Sequence, residues 1–217
     1  MRYKAIIFDL DGTLVNSLED LGGSVNAMLR SYGFPEYKID EYKYLTGNGS
    51  QKLIERVLPE GKEELLEEAL AKYKAIYQQH FCDKTAPYPG IKEMLSQARA
   101  RKLPLAICTN KHQEAARAVV SKLFPADTFQ MVVGNYPGSK CKPDTGNVLR
   151  IASELGVKPQ ETAYLGDSWV DMETATRAGF LPIGVLWGFR SREELVENGA
   201  KVLLETPAEL WDKVDFA

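Results

Sequence analysis

The stretch Lys4–Val15, KAIIFDLDGTLV, frames the whole chain: a short apolar run passes directly into two aspartates separated by one leucine. Ala5-Ile6-Ile7-Phe8 is too brief for a helix and has the continuous apolar character of a strand covered on both faces of a parallel sheet. Asp9 and Asp11 fall where that strand ends. Their period-two spacing turns both carboxylates to one side while Leu10 points back to the protein, and Gly12 permits a sharp departure of the backbone. A strand followed by an Asp-Gly turn accounts for Asp11 and Gly12. It leaves Asp9 unexplained, because a carboxylate at a sheet end costs desolvation free energy for no structural return.

Outward from this stretch the chain changes its grammar twice. From Ser17 to Tyr32, Leu18, Leu21, Val25, Met28, Leu29 and Tyr32 recur at helical spacing, and Ser17 with Asp20 three residues on resembles a helix start. A Gly33-Phe34-Pro35 break follows, then the turn Thr46-Gly47-Asn48-Gly49-Ser50, a helix through Leu58, and one long amphipathic helix over Lys62–Phe81. No strand pattern interrupts residues 16–82. After Pro89-Gly90 helices and strands alternate: strands are expected at Leu103–Cys108, Met131–Val133, Thr162–Leu165, Pro182–Leu186 and Val202–Leu204. Alternation of this kind predicts an α/β fold, a doubly wound, mostly parallel sheet with right-handed crossovers. The expected division is a Rossmann-like core domain of residues 1–15 plus 86–217 and an inserted helical cap domain of residues 16–85.

Composition narrows the class. A chain of 217 residues, 44% hydrophobic and 26% charged, buries a sizeable core, and a net charge of −3 offers no basic field for nucleic acid or anionic lipid. The N-terminal apolar run is cut short by aspartates, unlike a signal peptide, and no stretch approaches the roughly 18 apolar residues of a membrane span. Cys82, Cys108 and Cys141 contain no Cys-x-x-Cys pair, which points to a reducing compartment, the cytoplasm.

Asp9/Asp11, Thr109/Asn110, Lys142 and Asp167/Asp171 each follow, directly or after a loop, the carboxyl end of an expected strand, the edge where such sheets bind ligands. One site built from four loops is the simplest reading. Two carboxylates about 4 Å apart repel by roughly 4 kcal/mol at an effective dielectric near 20, so a cation belongs among these four. Oxygen donors without a histidine or cysteine cluster select a hard ion, and Mg²⁺ suits carboxylates, water and a phosphate oxygen. With Lys142, a threonine hydroxyl and strand-end amides added, the target that fits is phosphate. Singly, each motif has a plain structural explanation: Thr109-Asn110 as a strand end and helix cap, Lys142 as a solvated loop lysine, Asp167-Ser168 as a helix start.

These segments, DLDGT at 9–13, TN at 109–110, KPD at 142–144 and GDSWVD at 166–171, resemble in order and spacing the motifs of the haloacid dehalogenase (HAD) superfamily of phosphatases. The resemblance implies that Asp9 is a nucleophile forming a phosphoaspartyl intermediate and Asp11 the general acid and base. It further implies that Mg²⁺ is held by Asp9, the Asp11 main chain and Asp167, with Asp171 a direct or indirect ligand. Thr109 and Asn110 would grip phosphoryl oxygens, and Lys142 would orient Asp9 and stabilise developing charge. Asn16, where the family usually has aspartate, and Thr145-Gly146, where it has proline, depart from the pattern outside the catalytic groups.

The helical insert is expected to choose the substrate, a small phosphorylated metabolite. Gly47-Asn48-Gly49 is the candidate substrate loop, since glycines expose amides and the next helix offers its N-terminus; an ordinary helix-start turn explains it equally well. With FDLDGTLVNS, the loop resembles that of phosphoglycolate phosphatases, which implies a carboxylated phosphate such as 2-phosphoglycolate. Lys43, Lys52 and Arg56 are candidate helpers, Arg190 and Arg192 candidates for phosphate steering, and Cys141 beside Lys142 is expected to be a somewhat acidic thiol. His80 and His112 are expected at helix ends or the surface, Cys108 in the strand core, and Trp187 against the core or the site mouth. A β-phosphoglucomutase-like phosphomutase, or a phosphatase or pyrophosphatase acting on another metabolite, remains an alternative. A signalling receiver domain is disfavoured by chain length and the helical insert.

Overall fold

A computed structural model describes residues 2–217; Met1, with which the expected core domain opens, lies outside the described residues. The first strand, β1 (Ala5–Phe8), is wholly buried and leads through the Asp9–Leu14 loop to a two-residue strand β2 (Val15–Asn16). Helices α1 (Leu18–Ser31), α2 (Tyr42–Leu45), α3 (Ser50–Val57) and α4 (Leu66–His80) follow before β3 (Ala86–Pro87). The helix read from sequence as Lys62–Phe81 opens with a 3₁₀ turn at Glu63–Leu65. From there α5 (Ile91–Ala100), β4 (Leu105–His112), α6 (Gln113–Leu123), β5 (Met131–Asn135), α7 (Gly146–Glu154), β6 (Thr162–Gly166), α8 (Trp169–Ala178), β7 (Leu181–Val185), α9 (Arg192–Glu197), β8 (Val202–Leu204) and α10 (Leu210–Lys213) alternate.

Six strands form one sheet in the order β5-β4-β1-β6-β7-β8, and every pairing in it is parallel. The order reverses about β1, so the loops after β1, β4 and β6 meet at the switch point of the sheet. Period-two alternation divides the strands between two cores. Ile6, Phe8, Leu105, Ile107 and Leu165 face α5, α6 and α10, while Ile7, Ala106, Cys108 and Tyr164 face α7 and α8. Strand β4 extends past the expected end at Cys108, because the chain bulges between Cys108 and His112 and then pairs again with Asn135.

The helices between residues 18 and 80 surround a second apolar cluster of Val25, Met28, Leu29, Tyr42, Ile54 and Tyr73 among others, which Phe189 of the loop after β7 joins. The chain leaves and rejoins the larger sheet side by side, since β2 and β3 pair antiparallel. Asp20 fastens that return. Its carboxylate, in the first turn of α1, accepts from the Lys84 amide, from the Thr85 amide at 2.7 Å and from Thr85 Oγ1 at 2.6 Å. The Ser17/Asp20 pair is therefore not the helix cap its spacing suggested. Ser17 has φ −107° and ψ 6°, outside the extended geometry of a capping side chain, and its hydroxyl donates to Asp11 Oδ1 at 2.6 Å.

Candidate active site

Parallel strands deliver their carboxyl ends to one edge, and that edge gathers the acidic groups. Asp9, Asp167 and Asp171 place carboxylate oxygens within 4.8 Å of one another, the one group of this kind among the described residues. Three glycines make the approach possible. A Cβ on Gly12 would fall 2.2 Å from Asp167 Oδ2, one on Gly166 2.2 Å from Asp171 Cβ, and one on Gly188 2.3 Å from Asp167 Cβ. Asp167 also accepts from the Phe189 amide at 2.8 Å and from Thr13 Oγ1 at 3.3 Å.

Lys142 is the cation inside this cluster. Its buried ammonium bonds Asp171 Oδ1 at 2.6 Å and Tyr164 Oη at 3.0 Å. It also lies 2.9 Å from Asp9 Oδ1, but off the line a hydrogen bond requires, so that oxygen is buried with an ionic contact and no hydrogen bond. Burial would depress the lysine's pKa; Asp171 and Asp9 outweigh it and hold the pKa well above the usual range. One ammonium does not balance three carboxylates. Burial raises Asp9 to about 6, with Lys142 opposing and Asp171 and Asp11 adding to the rise. Asp167 is pushed well up by burial, then by Asp171 and Asp9.

An unbonded buried carboxylate oxygen, oxygen-only donors and unbalanced negative charge together fit a hard divalent cation. Asp171 is the least free of the three to serve it. Oδ1 receives Lys142 and Tyr164, and Oδ2 receives the Ser168 amide and hydroxyl.

Asp11 stands apart from the cluster. Lys111 Nζ lies 2.9 Å from both of its oxygens, and the same ammonium sits 4.7 Å from the centre of the Tyr77 ring. Asn110 ties three loops together: its Nδ2 donates to the carbonyls of Gly47 and Lys142, and its Oδ1 accepts from the Lys142 amide at 2.7 Å. Thr109 is buried, with Oγ1 accepting from the Lys111 amide. A cavity of about 390 Å³ is lined by Asp9, Asp11, Thr109 and Asn110 and by Leu53, Tyr73 and Tyr77 of the helical segment.

Of the candidate loop, Gly47 and Gly49 line the cavity, whereas the Asn48 side chain is held aside by Arg56 Nη2 at 2.7 Å. Arg56 also donates to the Leu45 carbonyl, Lys43 pairs with Asp40 and Lys52 with Glu55, so these three serve the helical segment itself. The Cys141 thiol is not acidic: its half-burial raises the pKa more than Lys142 lowers it. Cys108 fills the core and is pushed up to about 12 by burial. His80 bonds Asp83 and His112 precedes α6, while Trp187 donates to the Thr13 carbonyl.

Sequence reasoning missed Lys111, Tyr164 and the Ser17 hydroxyl. Lys111 lies in the bulged part of β4, where period-two alternation gives no guide to the side a residue faces. Tyr164 reads as one apolar residue of a buried strand.

A family model described as haloacid dehalogenase-like hydrolase matches residues 6–185. A Chromobacterium violaceum protein named phosphoglycolate phosphatase is 34% identical over 214 residues, covering 96% of this chain and 95% of that protein. One of the same name from Aquifex aeolicus is 31% identical over 190 residues, covering 86% of each. The crystal structure of a chain from Lactobacillus delbrueckii subsp. bulgaricus, to which the same name is given provisionally, superposes with a TM-score of 0.89 at 29% identity, over 97% of both chains.

Proposed function

The chain belongs to the haloacid dehalogenase-like hydrolase family, and from that premise we propose that it is a Mg²⁺-dependent phosphomonoesterase acting on a small carboxylated phosphate, 2-phosphoglycolate first among them. The observation that carries the reading is the convergence of Asp9, Asp167, Asp171 and Lys142 at one sheet edge, with Asp9, Asp11, Thr109 and Asp167 lining one cavity.

In this reading an Asp9 oxygen attacks phosphorus, the bond to the ester oxygen breaks, and a phosphoaspartyl group forms. Asp11 gives its proton to the departing alkoxide. It then takes a proton from water, whose oxygen attacks the same phosphorus and returns Asp9 as a free carboxylate. In the resting site Lys111, against both oxygens of Asp11, and the Ser17 hydroxyl fix the position of that side chain. Thr109 and the Asn110 main chain grip the phosphoryl oxygens. Lys142, oriented by Asp171 and Tyr164, keeps Asp9 aligned. Asp9, Asp167 and the Asp11 main chain would hold Mg²⁺. Bound there, it supplies the positive charge that lets an anionic carboxylate meet an anionic ester.

Residues 16–85 act as a cap domain on the core formed by 1–15 and 86–217. Their own apolar cluster, joined from the core by Phe189, and the narrow β2–β3 connection support a unit that moves over the cavity and excludes water.

The test is a panel of phosphate esters with and without Mg²⁺, comparing wild type with Asp9→Asn. Phosphate release is expected to need the metal and to fall by several orders of magnitude in the variant, because a carboxamide does not attack phosphorus. Undiminished turnover by Asp9→Asn ends the phosphoaspartyl reading. Release of phosphate without an isomerised sugar phosphate separates the hydrolase from a mutase.

A further inference from the structure

Arg190 is a buried arginine with an unspent donor, and it forms part of the cavity wall. The residue is 9% exposed, and its Nη1 has no hydrogen-bond partner. Its other nitrogens are engaged: Nη2 donates to the Thr46 carbonyl at 3.0 Å, and Nε lies 3.2 Å from Glu194 Oε1. A guanidinium placed this way is held in orientation from two sides. Its unpartnered N–H groups have lost water without gaining an acceptor, a cost that an arriving anion relieves.

The backbone supports the same placement. Phe189, the preceding residue, gives its amide to Asp167, so the loop after β7 is anchored on the acidic cluster. Gly47, which lines the cavity, lets the loop before α3 come close: a Cβ there would be 3.6 Å from Arg190 Nη2. The other cavity-lining cations are differently placed. Lys111 is spent on Asp11, and Lys74 is exposed on α4. Lys142, which does not line the cavity, is held by Asp9 and Asp171.

We propose that Arg190 is the specificity-determining residue that receives the second anionic group of the substrate, a carboxylate, while the phosphoryl group occupies the Asp9 end of the cavity. This rests on the phosphomonoesterase reading above. Because Arg190 also holds the Thr46 carbonyl, the carboxylate is received at the junction of the helical segment and the sheet. A neutral ester leaves that donor unpaired. Discrimination therefore comes from a buried polar group that an uncharged substrate fails to satisfy.

The experiment compares steady-state kinetics on 2-phosphoglycolate and on ethyl phosphate, which keeps the phosphoryl group and replaces the carboxylate by a methyl group. Wild type is expected to prefer phosphoglycolate. In Arg190→Gln that preference, as a ratio of kcat/KM values, falls by about 10- to 100-fold, mostly through KM for phosphoglycolate. In Arg190→Lys the preference falls less, because the charge stays while the planar fork is lost.

An equal loss on both esters, or an unchanged ratio, overturns the proposal and leaves the phosphatase reading standing. A wild type without preference removes the carboxylated substrate, and Arg190's role with it, while ethyl phosphate hydrolysis still reports the chemistry. A second measurement covers a variant that fails to fold. In ¹⁵N-labelled Asp9→Asn protein, the Arg190 guanidinium resonances are expected to shift on adding phosphoglycolate and to stay in place with ethyl phosphate; resonances unmoved by phosphoglycolate overturn the proposal.

Discussion

Replacing Asp20 by alanine tests how the helical segment is fastened to the sheet. Asp20 and Thr85 are both buried, 6% and 5% exposed, and the carboxylate takes three separate donors from 64 and 65 residues along the chain: the Lys84 amide, the Thr85 amide and the Thr85 hydroxyl. Hydrogen bonds to a charged acceptor contribute about 1.5–3 kcal/mol each, yet they share one carboxylate whose own desolvation is relieved on deletion. The net loss is therefore expected near 3 kcal/mol rather than the sum, a fall in Tm of about 6–12 °C for a chain of this size. The neighbouring Glu19–Lys84 pair is exposed and adds little. Calorimetric melts of Asp20→Ala, Thr85→Val and the double variant separate the contributions. A coupling of about 1–2 kcal/mol between the two side chains is expected. A loss below about 1 kcal/mol, or no coupling, refutes the argument that this carboxylate secures the return of the chain.

Three further outcomes are expected. Gly188→Ala drives a Cβ against Asp167 Cβ and to 2.5 Å from the Gly12 carbonyl, neither of which swings aside; the loop shifts by about 1 Å and kcat/KM falls by about 100-fold, whereas near-native kinetics refute the packing argument. Tyr164→Phe removes an acceptor from Lys142 and a donor to Asp171 or the Cys108 carbonyl; it is expected to cost about 1–2 kcal/mol in urea unfolding and to lower kcat, and a thermally neutral variant with only KM altered contradicts this. A loss of stability with rising pH follows from Asp9, whose pKa rises from 3.8 to about 6 through burial. Between those values the folded, metal-free protein holds the proton more tightly than the unfolded chain, so this contribution to stability is present below 3.8 and lost as pH rises through about 6. Unfolding in chelator, wild type minus Asp9→Asn, is expected to show that slope, and saturating Mg²⁺ to reduce or reverse it; a rising difference in chelator refutes the assignment.

Much of the architecture is written locally. A buried parallel strand needs an unbroken apolar run, so Ala5–Phe8 and Thr162–Leu165 declare themselves, and parallel strands with one-handed crossovers put Asp9, Thr109 and Asp167 on one edge without any knowledge of strand order. Local pattern says less about partners. Ser17 and Asp20 have the spacing of a helix start, but one hydroxyl is claimed by Asp11 and the carboxylate by Thr85. Lys111 meets Asp11 across 100 residues, and Arg190 meets Thr46 across 144.

Those meetings follow from the reversal of strand order at β1 and from glycines that let loops approach within a side chain's width, and neither is encoded in the residues that meet. The gathering of acidic groups at one sheet edge, written in short-range motifs, was readable from the sequence by itself. That Arg190 is buried with one nitrogen stripped of every partner was decided by the tertiary structure.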